Sequence, residues 1–285
     1  MVLAIASYPR IRLLLLLFGA FISFAALASE GDRLAICFLE DNMPYSDRAS
    51  SSGFDYELGM RVAGLLEKEF KPVWVSNNTQ IQEIESDYPF KRLARGECSV
   101  ILSVPGTSES FEEDGATIVL GSAYYAAAFE LVSNKAQTSH NLRKLRGKEV
   151  AIQSQTVAHF ALKMLGAKSK TYFSTIAAVD GVARGEAAAG LLWGPTAGWV
   201  LQGLEEENKP RFVDDYEPPV ALRWNVHFVT RSRDQSLQKL VSESLATIDA
   251  QGELSALMKK YNLPDRRPYD KTYTLGALNE LQFAR

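Results

Sequence analysis

The chain has 285 residues with 31 basic and 34 acidic side chains, a formal charge of −3, and 46% apolar residues. That mild acidity excludes the basic footprint of a nucleic-acid binder, and the balance of charged and apolar residues is that of a globular chain long enough for one large domain or two lobes. Two cysteines and three scattered histidines form no metal-spaced cluster, so no metal or cofactor is implied.

The first predicted element is a targeting segment. Arg10 and Arg12 precede an apolar block, Leu13 to Leu27, that ends in Ala26-Leu27-Ala28. This is the layout of a secretory signal peptide cut after Ala28. The block is shorter than the roughly 20 residues a spanning helix needs, which argues against an uncleaved anchor. Cys37 lies too far beyond it to carry a lipoprotein's lipid. Removal of residues 1–28 leaves 29 basic and 34 acidic groups on what is expected to be a soluble exported protein. In that oxidising compartment Cys37 and Cys98 are expected to pair. Both sit in strand-like contexts, "LAICFL" and "ECSVILSV", so a bond requires those strands to be neighbours. The alternative is two reduced, buried thiols.

Leu34 to Leu39 reads as a strand. After the polar loop "EDNMPYSDRASSSGF" a helix opens with Asp55 as its N-cap and carries Leu58, Val62, Leu65 and Leu66 on one face. "PVWVS" (Pro72 to Ser76) is a second strand, Pro89 to Gly96 a short helix ended by glycine, and "CSVILSV" a third strand. The alternation argues for a parallel sheet with helices on its faces. It resumes with strands in "AFELVSN" and "KLRGKEVAIQS", a helix "TVAHFALKMLG" capped by Thr156, and a further helix and strand in "TIAAVDGVARGEAAAGLLW". The apolar run Ala187 to Leu192 stops at Trp193, and Gly194-Pro195 opens a helical pattern to Leu204. "EPPVALRWNVHFVTR" reads as one extended strand, followed by two amphipathic helices broken at Gly252.

The common catalytic signatures are absent, among them G-x-S-x-G, H-E-x-x-H and the phosphate-binding glycine loops. His159 reads as a surface or core histidine, and the acidic runs Glu112-Glu113, Glu205 to Glu207 and Asp214-Asp215 as solvated faces.

Taken in order, "GFDYELGMRVAGLL", "RLARGECSVIL", "GSAYYAAAFELV", "LRGKEVAIQSQT", "GVARGEAAAGLLWGPTAGWVL" and "GELSALMKKYNLP" resemble the periplasmic solute-binding proteins of family 3, the amino-acid-binding type. The resemblance implies a two-lobe α/β fold (type II), with parallel-sheet lobes joined by two crossover strands near Tyr124 to Leu131 and Pro218 to Val226. Lobe one is then 29–124 with 222–285, and lobe two 125–221. A cleft between the lobes closes by hinge motion and meets strand ends and helix N-termini. Glu40, Asp41, Tyr45, Phe54, Gly106, Thr107, Ser108, Gln155, Thr156, Trp193, Gly194 and Pro195 are expected to face it.

Amino-acid binders of that family carry an arginine for the ligand carboxylate and an acid for its ammonium group. Aligned on Ser99, the arginine position is Phe111, and the acid position is Trp193. A zwitterion needs both charges held, so a conventional amino-acid receptor is not expected. "LAICFLEDNMPYSD", "RGECSVILSVPG" and "LLWGPTAGW" resemble a narrower branch, the solute-binding-like proteins associated with quinoprotein methanol and alcohol dehydrogenases. That resemblance implies a periplasmic accessory protein whose partner is such a dehydrogenase or its cytochrome, and no catalysis of its own. The alternative is a receptor feeding an ABC permease with a small neutral or apolar solute. An enzyme on this fold, such as a small dehydratase, needs a protonatable group in the cleft, for which Glu40 and Asp41 are the candidates.

Overall fold

The computed structural model describes residues 32–76, 88–106, 109–134, 140–207 and 209–281. The expected signal segment lies outside them, as do Thr107 and Ser108 of the expected cleft turn.

The chain begins with β1 (Arg33–Leu39), a small ladder of β2 (Asp41–Asn42) and β3 (Ser46–Asp47), helix α1 (Phe54–Leu65) and β4 (Glu69–Val75), which pairs in parallel with β1. Helix α2 (Pro89–Arg95) starts on a proline and stops at Gly96, whose left-handed φ of 83° suits a residue without a Cβ. There follow β5 (Ile101–Gly106), β6 (Ser110–Glu113) and one strand of 18 residues, β7 (Ala116–Ser133). Local pattern marks only its last third, "AFELVSN", as strand, and the family resemblance extends it back to Tyr124. From Tyr124 onward every residue of β7 is buried, because cores cover both of its faces, and the apolar alternation that marks a half-exposed strand is lost.

The second unit carries β8 (Glu149–Gln153), α3 (Val157–Leu165), β9 (Lys168–Tyr172), α4 (Thr175–Ala183), β10 (Ala189–Trp193) and α5 (Gly194–Gln202). After β11 (Arg211–Phe212) the chain returns through a 3₁₀ turn at Val220–Leu222 into β12 (Arg223–Arg231), then α6 (Gln235–Ala250), α7 (Glu253–Lys260) and α8 (Leu275–Glu280). The large sheet runs β5-β12-β7-β10-β8-β9, with β6 and β11 also on β7. It is mixed. β8 is parallel to β9 and β10, whereas the long strands β7 and β12 cross between the units antiparallel to each other, from Arg223↔Ala128 to Arg231↔Ile118. These are the two crossovers.

Two hydrophobic cores lie on either side of them. One gathers Leu34, Phe54, Leu58, Val226, Phe228, Leu245 and Leu257; the other gathers Leu131, Val150, Ile152, Leu162, Leu191 and Leu222, and Trp193 packs against both. Phe54 is fully buried and meets Tyr125 edge-on at 5.5 Å, so it supports the first core. Asp55 is not the N-cap. Gly53 holds that position, and Asp55 is buried in the first turn of α1. Thr156 caps α3 by position only, because its hydroxyl donates to Gln153 O at 2.9 Å instead of accepting from the helix.

The C-terminal segment, expected on lobe one, continues past α7 along both crossovers. Ala126 N donates to Arg266 O at 2.9 Å, Asn225 exchanges bonds of 2.7 and 3.0 Å with the backbone of Tyr269, and Trp224 stacks on Tyr273 at 4.9 Å. Its last helix, α8, buries Leu278 in the second core. A strap of chain thus ties lobe one to lobe two on the side of the crossovers.

Candidate functional site

The cleft follows from strand direction. β1 and β5 of one unit and β10 of the other bring their carboxyl ends to one place, where the residues after each strand meet. A cavity of about 360 Å³ lies there, lined among others by Phe38, Tyr45, Asp55, Phe90, Ser103 and Trp193. Of the residues expected to face the cleft, Tyr45 and Trp193 line it together: Trp193 Nε1 donates to Tyr45 Oη at 2.9 Å, across the gap between the two units. The indole is anchored from behind by an aromatic group, Phe129 at 5.6 Å and Trp224 at 5.7 Å, both edge-on. Gly194 follows where a Cβ would come within 2.7 Å of Glu130 Cγ, so only glycine lets α5 start so close to β7. Pro195 is buried behind it at the helix start.

The remaining expected residues lie elsewhere. Glu40 is ion-paired with Arg48, and Asp41 is exposed on β2. Gly106 ends β5 against the Leu120 side chain. Gln155 is exposed, in a left-handed turn with φ 59°. Phe111 stands behind the wall, edge-on to Phe90 at 5.4 Å, and it is Phe90 that lines the cavity. Cys37 and Cys98 are bonded, with Cα atoms 5.6 Å apart. His159 is exposed beside Phe160.

The polar end of the cavity was not legible as a site. Asp55 is only 6% exposed, and its carboxyl Oδ1 accepts a bond from the Ser103 hydroxyl. Ser103 is the knot of this cluster: its hydroxyl also accepts from Tyr125 Oη at 2.9 Å, and its backbone N–H donates to Tyr124 Oη at 2.8 Å. Ser103 holds a left-handed φ of 52°, a strained conformation that aims both groups inward. Among the described residues no cation pairs with Asp55. Burial therefore pushes its carboxyl from 3.8 up to about 8, against the smaller opposing pull of the Ser103 hydrogen bond. Burial likewise raises the phenols of Tyr45, Tyr124 and Tyr125, which stay neutral.

This has a measurable sign. An unfolded aspartate ionises near 3.8, so the stability contributed by the neutral buried carboxyl is complete below that pH and is lost as pH rises through about 8. Asp55→Asn keeps the shape and a neutral donor. Its urea midpoint is expected to vary less than that of the wild type between those limits, and to equal or exceed it at the upper one. A variant that keeps the wild-type slope removes Asp55 as its source.

Two α/β units, two crossover strands and a cleft at facing strand ends define the two-lobe periplasmic binding protein fold. No protein-family model and no curated protein matches the sequence. Solved structures match the fold. MxaJ from Methlophaga aminisulfidivorans MPT is 19% identical with a TM-score of 0.61, over 81% of this chain and 99% of that one. The periplasmic binding protein XoxJ from Methylobacterium extorquens AM1 is 18% identical with a TM-score of 0.59, over 82% and 100%. The L-cystine solute receptor of Neisseria gonorrhoeae, in its unliganded open conformation, is 14% identical with a TM-score of 0.68, over 83% and 95%. At these identities the likeness is one of fold. Among the described residues no helix is long and apolar enough to cross a membrane, and no group of acidic, histidine or cysteine side chains is placed to hold a metal.

Proposed function

We propose that the chain is a periplasmic, solute-binding-like accessory protein of a quinoprotein methanol or alcohol dehydrogenase system, with the dehydrogenase or its cytochrome as partner. The observation that carries this reading is the Trp193–Tyr45 bond across the cleft. By alignment an indole takes the position of an amino-acid receptor's acid and Phe111 that of its arginine, and among the described residues no lysine or arginine lines the cavity. A zwitterion placed there would have an unpaired, desolvated carboxylate, at a cost of several kcal/mol. The "WGP-x-AG" element and the Cys37–Cys98 pair support the narrower branch, as does the fold shared with MxaJ and XoxJ. On this reading residues 1–28 are an export signal cut after Ala28, lobe one is 29–124 with 222–285, and lobe two is 125–221.

The test is affinity capture of the mature, tagged protein from periplasmic extract of its own organism, with mass spectrometry of what is retained. A quinoprotein dehydrogenase or its cytochrome is expected. Trp193→Ala removes an aromatic anchor that touches both lobes and is expected to weaken that capture about tenfold or more, while Phe111→Ala leaves it unchanged. Absence of any dehydrogenase component, with a small molecule released on denaturation, overturns the accessory role in favour of an ABC-transporter receptor.

A further inference from the structure

Among the described residues Asp55 is the one carboxyl in the cavity lining, and no lysine, arginine or histidine accompanies it there. Ser103 takes one carboxyl oxygen; no hydrogen bond among the described residues takes the other. Aromatic residues line the same cavity, Tyr45, Tyr88, Phe90 and Trp193 among them. A carboxyl without a counter-ion destabilises the empty pocket when it ionises. A cation that enters removes that penalty, and aromatic rings are the apolar lining best suited to an organic cation. A neutral solute offers the acid no charge, and a carboxylate-bearing one meets no guanidinium or ammonium group.

We propose that this cavity binds a compact organic cation without a carboxylate, an alkylammonium head group seated between Asp55 and the aromatic walls. This deepens the reading of the fold as a binding protein and names the ligand class of its cleft. The volume of about 360 Å³ leaves room for a group of the size of choline. Binding selects the ionised form of Asp55, so in neutral solution the cation displaces a proton from it. The other titratable groups facing Asp55 are the phenols of Tyr45, Tyr124 and Tyr125, which remain neutral and add no competing titration.

The experiment is calorimetric titration of the full mature protein with choline, with trimethylammonium and with 3,3-dimethylbutan-1-ol, the uncharged carbon analogue of choline. Each is measured from about pH 6 to about pH 9, spanning the titration of a raised carboxyl. Either cation is expected to bind, more tightly as pH rises, and the neutral analogue about tenfold or more weakly. Asp55→Asn is expected to keep the wild-type circular dichroism and lose about tenfold or more in affinity for the cation, with a flat pH profile. Equal binding of the alcohol, an Asp55→Asn variant that binds as the wild type does, or no binding of either cation at millimolar concentration overturns the proposal. Retention of a dehydrogenase by the Asp55→Asn variant separates the two readings: the accessory role then stands whatever the titrations show, and cation binding without any captured dehydrogenase leaves the ligand class standing alone.

Discussion

Arg266→Ala is expected to destabilise the protein by about 3–5 kcal/mol, read as a lowered urea midpoint at neutral pH. Glu130 lies in β7 with its side chain only 5% exposed, and the Arg266 guanidinium grips it through Nε and through Nη2 at 2.9 Å. The same guanidinium donates to Tyr216 O at 3.1 Å and reaches Glu217 at 3.3 Å, so one side chain satisfies acceptors on two segments, β7 and the loop at 216–217. Its loss leaves a buried carboxylate without a partner directly behind Trp193 and Gly194. Burial already raises the Glu130 carboxyl above its ordinary value, and only the arginine opposes that. The stability defect is therefore expected to shrink in acid, where Glu130 takes up a proton at small cost. Replacing the pair together, Glu130→Leu with Arg266→Met, is expected to recover most of the loss, because an apolar pair of similar volume has no charge to desolvate. A single variant as stable as the wild type would show that the strap does not hold the crossovers.

The second large effect lies at the small sheet of β1 and β4. Cys37→Ala with Cys98→Ala is expected to cost about 4 kcal/mol in the chain-entropy model, since the bond closes a sequence separation of 61 residues. The location adds to the consequence. β1 and β4 form a two-stranded sheet apart from the large one, joined to the segment before β5 by an Ile36↔Val100 bridge and by backbone bonds Cys37 N to Val100 O and Ser99 N to Ala35 O, of 3.0 and 2.8 Å. The disulfide is the covalent tie in that seam, 2% and 1% exposed, and packed with Val75, Leu93 and Val229. Amide exchange in β1 and β4 is expected to quicken in the variant while β8 and β10 keep their protection. Uniform loss across both lobes would instead place the bond in a unit that unfolds as one with lobe two.

Much of this architecture was legible from local pattern. Strand and helix alternation follows from period-2 and period-3.6 apolar spacing, and helix ends from Gly96 and from the proline starts of α2 and α5. Trp193 could be placed at a strand end because Gly194-Pro195 stops the strand there. Other features had no local signal. Asp55 looks like a cap because aspartate usually is one at that position; only the approach of β5 and β7 turns it into a buried acid. Phe54 and Phe111 are aromatic side chains in loop-like contexts, and nothing in their neighbours separates a core ring from a wall ring. Gly198 is one more case: a Cβ there would stand 1.8 Å from Asn262 O, a restriction imposed by a residue far along the chain.

The sequence by itself determined the α/β alternation and the aromatic end of β10, because each depends on residue periodicity or turn chemistry within a short span; it offered the Cys37–Cys98 pair as an expectation from redox chemistry, and the two-lobe arrangement as what a family resemblance implies. Tertiary structure alone decided that Asp55, Ser103 and Tyr125 form a buried cluster, that Trp193 bonds to Tyr45 across the cleft, and that Arg266 returns to neutralise Glu130. Those contacts join segments remote in sequence, and the cost of burying a charge or a polar group is set by what surrounds it, which no neighbouring residue can report.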